Sequence, residues 1–276
     1  SPHYIEYAEE MFNEAQRQKN PKYICSSTYF KILYYYNKNE VDSVSKLVNY
    51  VKPIAKRMEF FRLYFNAQKL LIYTYTYKEK YEYAINESLK MLEKAEELNN
   101  TDGRIAAYSC LASAYHETNR TKEEGEALRK AHKYVSEQTT SSTQFNVLNQ
   151  LIVFSKDQKD YSSLKTYLKE NKQLLQKMLS LDPDMYESYF NLYLFSEIFQ
   201  TYYYTGIGKI DSAKYHIEEA QDFITPQSYI PYMALYYDAS AEYYRHTKDY
   251  QAALLYIDSA LIKMKQFESA QMEYAK

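Results

Sequence analysis

The five histidines of this 276-residue chain, His3, His116, His132, His216 and His246, are its readiest candidates for metal or proton chemistry. A helical zinc site needs two ligands one turn apart, as in HExxH, and no two of these histidines stand four residues apart. The cysteines Cys25 and Cys110 lie 85 residues apart, which fits neither a metal spacing nor a disulfide framework. Glycine occurs only at 103, 125, 206 and 208, too sparsely for a phosphate-cradling loop. Adjacent acids such as Glu9-Glu10 and Glu96-Glu97 point in different directions on a helix and cannot act as a pair. No nucleophile elbow is present. These residues support no catalytic site, no metal and no cofactor, so the chain reads as a non-enzyme whose role is binding.

Composition narrows the kind of binding. The 34 basic and 36 acidic residues are intermixed and the formal charge is −2, so the basic stripe that nucleic acid demands is missing. No run approaches the 18 apolar residues of a membrane span, and Ser1-Pro2-His3-Tyr4 has no signal-peptide character. Direct contact of this segment with nucleic acid or membrane is therefore not expected, and a protein or peptide is the expected partner. Hydrophobic residues at 46% suffice for a continuous core, while 4 Gly and 6 Pro leave little turn chemistry for β-hairpins. The chain reads as almost wholly helical.

The elements that position any binding residue repeat. Val44, Ala84, Glu124, Leu164, Ala213 and Ala253 occupy one anchor site at intervals of 40, 40, 40, 49 and 40. In the last block Tyr237, Ala241 and Tyr244 follow helical spacing, Arg245 to Asp249 break it, and Ala253, Ile257 and Ala260 line a second helix. The same frame fits Tyr75 with Ala84 and Met91, and Tyr115 with Leu128 and Ala131; Tyr35 with Val44, Val48 and Val51 fits more loosely.

This spacing resembles the tetratricopeptide repeat, in which two antiparallel helices, A and B, carry a small residue mid-helix A, a Tyr near its end, and Ala twice on helix B. The resemblance implies an all-α, right-handed α-solenoid of stacked helix pairs. Its period of about 40 exceeds the usual 34, so helices or connections are longer by about a turn and a half. Residues 1–276 are expected to form one superhelical domain. Its parts are a half repeat at 4–20, pairs at 22–57, 60–99, 102–138, 142–180, 184–223 and 229–266, and a truncated half repeat at 267–276. Both ends falling inside the pattern imply a fragment of a longer protein. Several residues depart from the frame: Ser88, Glu124, Ser155 and Asn171, and Glu197, Gln200 and Thr201 in the fifth block. That block holds nine extra residues near Asp182-Pro183-Asp184, read as a longer helix from about Asp184 to Tyr204. Gly206-Ile207-Gly208 is placed in its inter-helix turn.

In proteins of this kind helix A lines the concave surface, and ligand-facing positions lie six and two residues before the repeat Tyr and one after it. Carried over, they give Lys69, Tyr73 and Thr76; Ser109, Ser113 and His116; Asn149, Val153 and Lys156; Ile198, Tyr202 and Thr205; and Asp238, Glu242 and Arg245. Lys69, Asn149 and Lys156 suggest a mildly basic, amide-bearing strip suited to peptide amides or a terminal carboxylate. The 35 tyrosines, with 12 Phe and no Trp, are expected mostly at core and boundary sites. Tyr34-Tyr35-Tyr36 and Tyr202-Tyr203-Tyr204 cannot all face inward on a helix, so some are expected to be exposed.

The phrases "IDSAKYHIEEA" and "YIDSALIKM", with the abundance of Tyr, Lys and Asn, resemble the repeat portion of bacterial membrane-anchored histidine kinases or helix-turn-helix regulators. That resemblance implies an extracytoplasmic (periplasmic) sensing segment ahead of a transmembrane helix and feeding transcriptional control. The alternatives are a cytoplasmic peptide-binding regulator of the quorum-sensing type, with Asn146 and Asn149 as the comparable pair, and an assembly scaffold. A homodimer is compatible with each.

Overall fold

A computed structural model of the chain describes residues 3–181, 189–225 and 228–274, and among these every long element is an α-helix. In order they are α1 (Tyr4–Arg17), α2 (Pro21–Asn37), α3 (Val41–Arg57), α4 (Phe61–Tyr77), α5 (Tyr81–Glu97), α6 (Thr101–Glu117) and α7 (Thr121–Tyr134). There follow α8 (Ser141–Asp157), α9 (Tyr161–Leu181), α10 (Phe190–Gly206), α11 (Ile210–Asp222), α12 (Ile230–His246) and α13 (Tyr250–Tyr274). The fold is an all-α, TPR-like helical repeat in which successive helices pair, even-numbered helices being A and odd-numbered ones B. None of these helices is long and apolar enough to cross a membrane.

The period of 40 is two periods of 20. A seventeen-residue helix and a three-residue connection recur through α2–α6, and the middle connecting residue is left-handed each time. Lys19, Asn39, Glu59, Glu79, Asn99 and Asn119 all have φ from 47° to 56°, and Lys159, Gly208 and Lys248 repeat the device later. After α1, the Lys19 amide donates to the Gln16 carbonyl at 3.0 Å and the Asn20 amide to the Ala15 carbonyl at 3.0 Å. This Schellman pairing satisfies the orphan carbonyls of a helix end. The third connecting residue caps the next helix where it can: Asn20 Oδ1 accepts from the Lys22 amide (3.1 Å), Asn100 Oδ1 from Gly103 (2.7 Å), and Asp249 Oδ1 from Ala252 (3.0 Å).

Within each unit the A helices pack on their neighbours as well as on the B helices, α2 with α4 and α4 with α6, and α10 with α8 and α12. An A helix is thus enclosed on several sides. That is why Tyr202 and Tyr203 are both buried and Tyr204 half-buried, against the expectation that such a run leaves an exposed ring. The anchors Val44, Ala84, Leu164 and Ala213 have no exposed surface, and α8–α12 share a core built on Leu164, Leu168, Leu194 and Phe199. Each such large apolar side chain contributes about 1.5–3 kcal/mol of burial.

Several of the polar residues that depart from the repeat find hydrogen-bond partners, although the buried Asn171 Oδ1 has none among the described residues. Ser88 and Thr74 are buried and donate to their own helix, to the carbonyls of Ala84 and Leu70, both at 2.7 Å. Glu124 lies 3.1 Å from His116 Nδ1, and Glu197 lies 2.6 Å from His216 Nδ1, each pair joining an A helix to its B helix. The repeat tyrosines at the ends of the A helices meet a π partner. Tyr75 stacks on Tyr83, Tyr204 on His216 and Tyr244 on Tyr256, while Arg120 covers Tyr115 at 4.5 Å.

Four expectations need correction. Contacts divide the chain into two compact units, one ending at Thr139 and the other running Thr140–Glu273, where one domain was expected. At the boundary α7 stops at Tyr134, Val135 is extended, and a turn closed by the Thr139 amide donating to the Ser136 carbonyl at 3.0 Å follows. Position 139, where the next left-handed residue falls due, holds a β-branched Thr unsuited to that conformation. Second, α10 begins at Phe190 and has the usual seventeen residues, whereas α9 is extended to 21, so the insertion lengthens a B helix. Residues 184–188 of the expected helix, with Asp182-Pro183-Asp184, lie outside the described residues. Third, α13 runs unbroken to Tyr274, so no new helix opens at Phe267; the good helix formers from Lys265 to Ala270 offer no stop signal. Fourth, Gly206 is the last residue of α10 and only Gly208 (φ 74°) turns the chain; a Cβ on Gly206 would lie 2.2 Å from the Tyr161 ring.

Candidate ligand surface of the A helices

In the first unit α4 supplies Lys69 and Tyr73, and α6 supplies Ser109, Ser113 and His116. Lys69 and Tyr73 come together. The half-buried Tyr73 stands beside Cys110 on α6, and the Lys69 charge acts on the same sulfur. Burial, then the neighbouring Cys110, Tyr36 and Tyr77, holds the Tyr73 pKa well above its usual value. Burial also pushes Cys110 up to about 12, so its sulfur remains a thiol near neutrality and is no nucleophile. Tyr36 and Tyr77 stand beside this group with ring centroids 5.9 Å apart and hydroxyls 3.5 Å apart. The result is a hydroxyl-rich aromatic patch with one cation.

The other carried-over residues of this unit are less available. Ser109 is buried, Ser113 half-buried, and Thr76 donates to the Ile72 carbonyl at 3.2 Å. His116 is exposed but paired with Glu124.

In the second unit three A helices bring their groups to one place. From α8, Lys156 Nζ lies 4.6 Å from the centre of the Tyr202 ring and 3.3 Å from Asp157 Oδ1. From α10, Tyr202 is 3% exposed, and its hydroxyl donates to Asp238 Oδ2 at 2.5 Å. From α12 come Asp238, which is exposed, and Glu242, with Arg245 Nη2 3.9 Å from Glu242 Oε1. Burial raises the Tyr202 pKa well above its usual value, with further upward pushes from Asp238, Glu242 and Asp157. The phenol therefore stays protonated and serves as a fixed donor.

This arrangement changes the character of the strip. Asn149 was expected to offer its amide to a ligand, but its Oδ1 accepts from Asn171 Nδ2 at 3.2 Å, which spends that group on the buried residue of α9. Lys156 is likewise engaged by Asp157 and the Tyr202 ring. What the second unit presents is carboxylate, from Asp157, Asp238 and Glu242, against the cations of Lys156 and Arg245. Val153 is half-buried, and Ile198 and Thr205 are buried in the α8–α12 packing. Asp157 and Tyr36 were not among the named candidates. Tyr36 follows from applying the same register to Tyr35, whereas nothing in the sequence marks Asp157 off from other exposed acids.

No known protein-family signature matches the chain, and no curated protein is similar to it in sequence. Among solved structures it is similar to the apo form of RapI, with 14% identity, a TM-score of 0.62 and coverage of 96% of this chain and 99% of that one. It is also similar to BtubC (BKLC) from P. vanneervenii, with 18% identity, a TM-score of 0.47 and coverage of 97% and 92%. The likeness to RapI shows the helical-repeat fold over nearly the whole chain.

Proposed function

We propose that the chain is a non-catalytic binding module that holds an extended peptide or protein segment across its A helices. The observation that carries this reading is the convergence of Lys156, Tyr202, Asp238 and Glu242 from three successive A helices. Packed helices lie about 8–10 Å apart, so three of them span roughly 20 Å, the length of about six residues of extended chain. A linear ligand crossing the repeats meets one group per helix. The buried Tyr202 hydroxyl orients Asp238, and the exposed Asp238 and half-buried Glu242 carboxylates suit backbone N–H groups or a basic side chain.

The finer reading is a ligand-sensing part of a bacterial signalling or transcription-regulatory protein. Its support is the resemblance of "IDSAKYHIEEA" and "YIDSALIKM" to the repeat portions of membrane-anchored regulators. In a full-length sequence, a signal peptide upstream and an apolar helix of about 20 residues downstream support that placement. Their absence favours the cytoplasmic peptide-binding regulator.

Peptide-library selection on the whole chain tests the binding role. Basic sequences should be enriched, and the Asp238→Asn/Glu242→Gln pair should weaken them about tenfold, the worth of one charge-assisted hydrogen bond. Asn149→Ala should leave them unchanged, since that side chain faces α9. Equal binding by the double variant would remove the α8–α10–α12 cluster as the ligand site.

A further inference from the structure

A cavity of about 550 Å³ opens between the N-terminal halves of α2 and α4, and none of its lining residues is among the candidate ligand positions considered above. Its charged residues are Lys22 and Arg62 and its polar residues Ser26 and Asn66; each pair is forty residues apart, so the same register builds the site twice. These positions lie thirteen and nine residues before the repeat tyrosines Tyr35 and Tyr75. The ligand positions that the repeat resemblance supplies begin only six before. The cavity therefore belongs to the part of helix A that the longer period adds.

The chemistry of the lining is specific. Tyr29, Phe60 and Leu63 give it an apolar wall, and all three are partly buried. Lys22 and Arg62 are exposed at the rim, and among the described residues neither has an ion-pair partner. Arg62 is the charge that acts on the Tyr29 hydroxyl. The half-buried Asn66 amide makes no hydrogen bond among the described residues, and Ser26 donates to the Lys22 carbonyl at 3.1 Å, leaving its oxygen free to accept. Two uncompensated cations and an amide donor beside an apolar wall select an anion attached to something greasy. The volume is that of a small-ligand pocket.

We infer that this cavity binds a carboxylate carried on an apolar body. Two sources share that chemistry: the C-terminal residue of a peptide that ends in an apolar side chain, and a free apolar acid. Arg62 forks onto the carboxylate, Lys22 adds charge from α2, Asn66 donates an N–H, and the apolar body lies on Tyr29, Phe60 and Leu63. The site is independent of the α8–α10–α12 cluster.

The test is calorimetric titration of the whole chain with octanoate, octanamide, a leucine-terminated pentapeptide as the free acid, and the same peptide as its C-terminal amide. At least one acid should bind about tenfold or more tightly than its amide. The Lys22→Gln/Arg62→Gln variant, with an unchanged thermal midpoint, should lose that preference, while Asp238→Asn/Glu242→Gln should keep it. Octanoate binding alone identifies the source as a free acid, and peptide binding alone identifies it as a chain terminus; either supports the site. Four results would overturn it: no binding of either acid, equal affinity for acid and amide, unchanged binding by the glutamine pair, or inorganic phosphate binding as tightly as the acids.

Discussion

Replacing Lys19, Glu59 and Glu79 with glycine should stabilise the first unit, although none of the three side chains makes a hydrogen bond or ion pair among the described residues that could be improved. Each holds a left-handed conformation, with φ of 50°, 56° and 55°, at the middle of a helix connection. For a residue with a Cβ that conformation costs roughly 1–2 kcal/mol, and glycine removes the cost while giving back about half of it as extra freedom in the unfolded chain. The net gain is about 0.5–1 kcal/mol per site. The sites stand at separate connections, so the triple variant should gain about 2 kcal/mol. Urea unfolding reads this as a midpoint raised by roughly 1 M at an unchanged slope of about 2 kcal/mol per M. The alanine triple keeps the Cβ and should gain nothing. Asn119→Gly should gain less than Glu59→Gly, because asparagine already tolerates the left-handed region. A glycine triple no more stable than the parent, or an alanine triple that gains as much, would refute the reading of these residues as the turn that sets the twenty-residue half-repeat.

Three further outcomes are expected. Gly103→Ala places a Cβ 2.7 Å from the Phe65 ring and 2.9 Å from Ala95 Cβ, so it should cost about 1–3 kcal/mol in urea unfolding. His216→Ala and Glu197→Ala should show a coupling energy of about 1 kcal/mol in a double-mutant cycle, since the two side chains meet at 2.6 Å and are both mostly buried. Stability should fall at alkaline pH. Burial holds the Tyr236 phenol at about 12 in the folded chain against about 10 when unfolded, so the unfolded state gives up its proton first and is favoured as pH rises through that window. The loss is roughly 3 kcal/mol between pH 10 and 12, and Tyr236→Phe should flatten the slope there by about one proton.

Sequence alone makes the repeat legible because a stacked array must put a small or apolar residue at the same place in every unit. Val44, Ala84, Leu164 and Ala213 bear this out by having no exposed surface. The halving of the period is not legible, because Lys19, Asn39, Glu59 and Asn119 share a backbone conformation and no side-chain chemistry. The continuation of α13 past Phe267 and the divide at Thr139 escape for the same reason: both are decided by whether one residue turns left-handed. Among the candidate residues, the register names Lys156, Tyr202, Asp238 and Glu242, which do converge. It cannot show that Asn149 is spent on Asn171 or Lys156 on Asp157, because those partners come from another helix and from the adjacent exposed position.

The departures from the repeat and its excess length bear on function in different ways. Glu124 with His116, Glu197 with His216, and Asn171 with Asn149 each set a polar residue of one helix against a polar residue of its pair partner. Removing either member of the mostly buried Glu197–His216 pair leaves a poorly solvated group, so such a pair fixes which face of its A helix turns outward more strictly than apolar packing does. The excess length acts at the other end of helix A. Seventeen-residue helices extend it two turns before the usual ligand register, and there Lys22 with Arg62 and Ser26 with Asn66 recur at one period. A period of 40 therefore gives α2 and α4 a second candidate site at their starts, beside the positions near the repeat tyrosine.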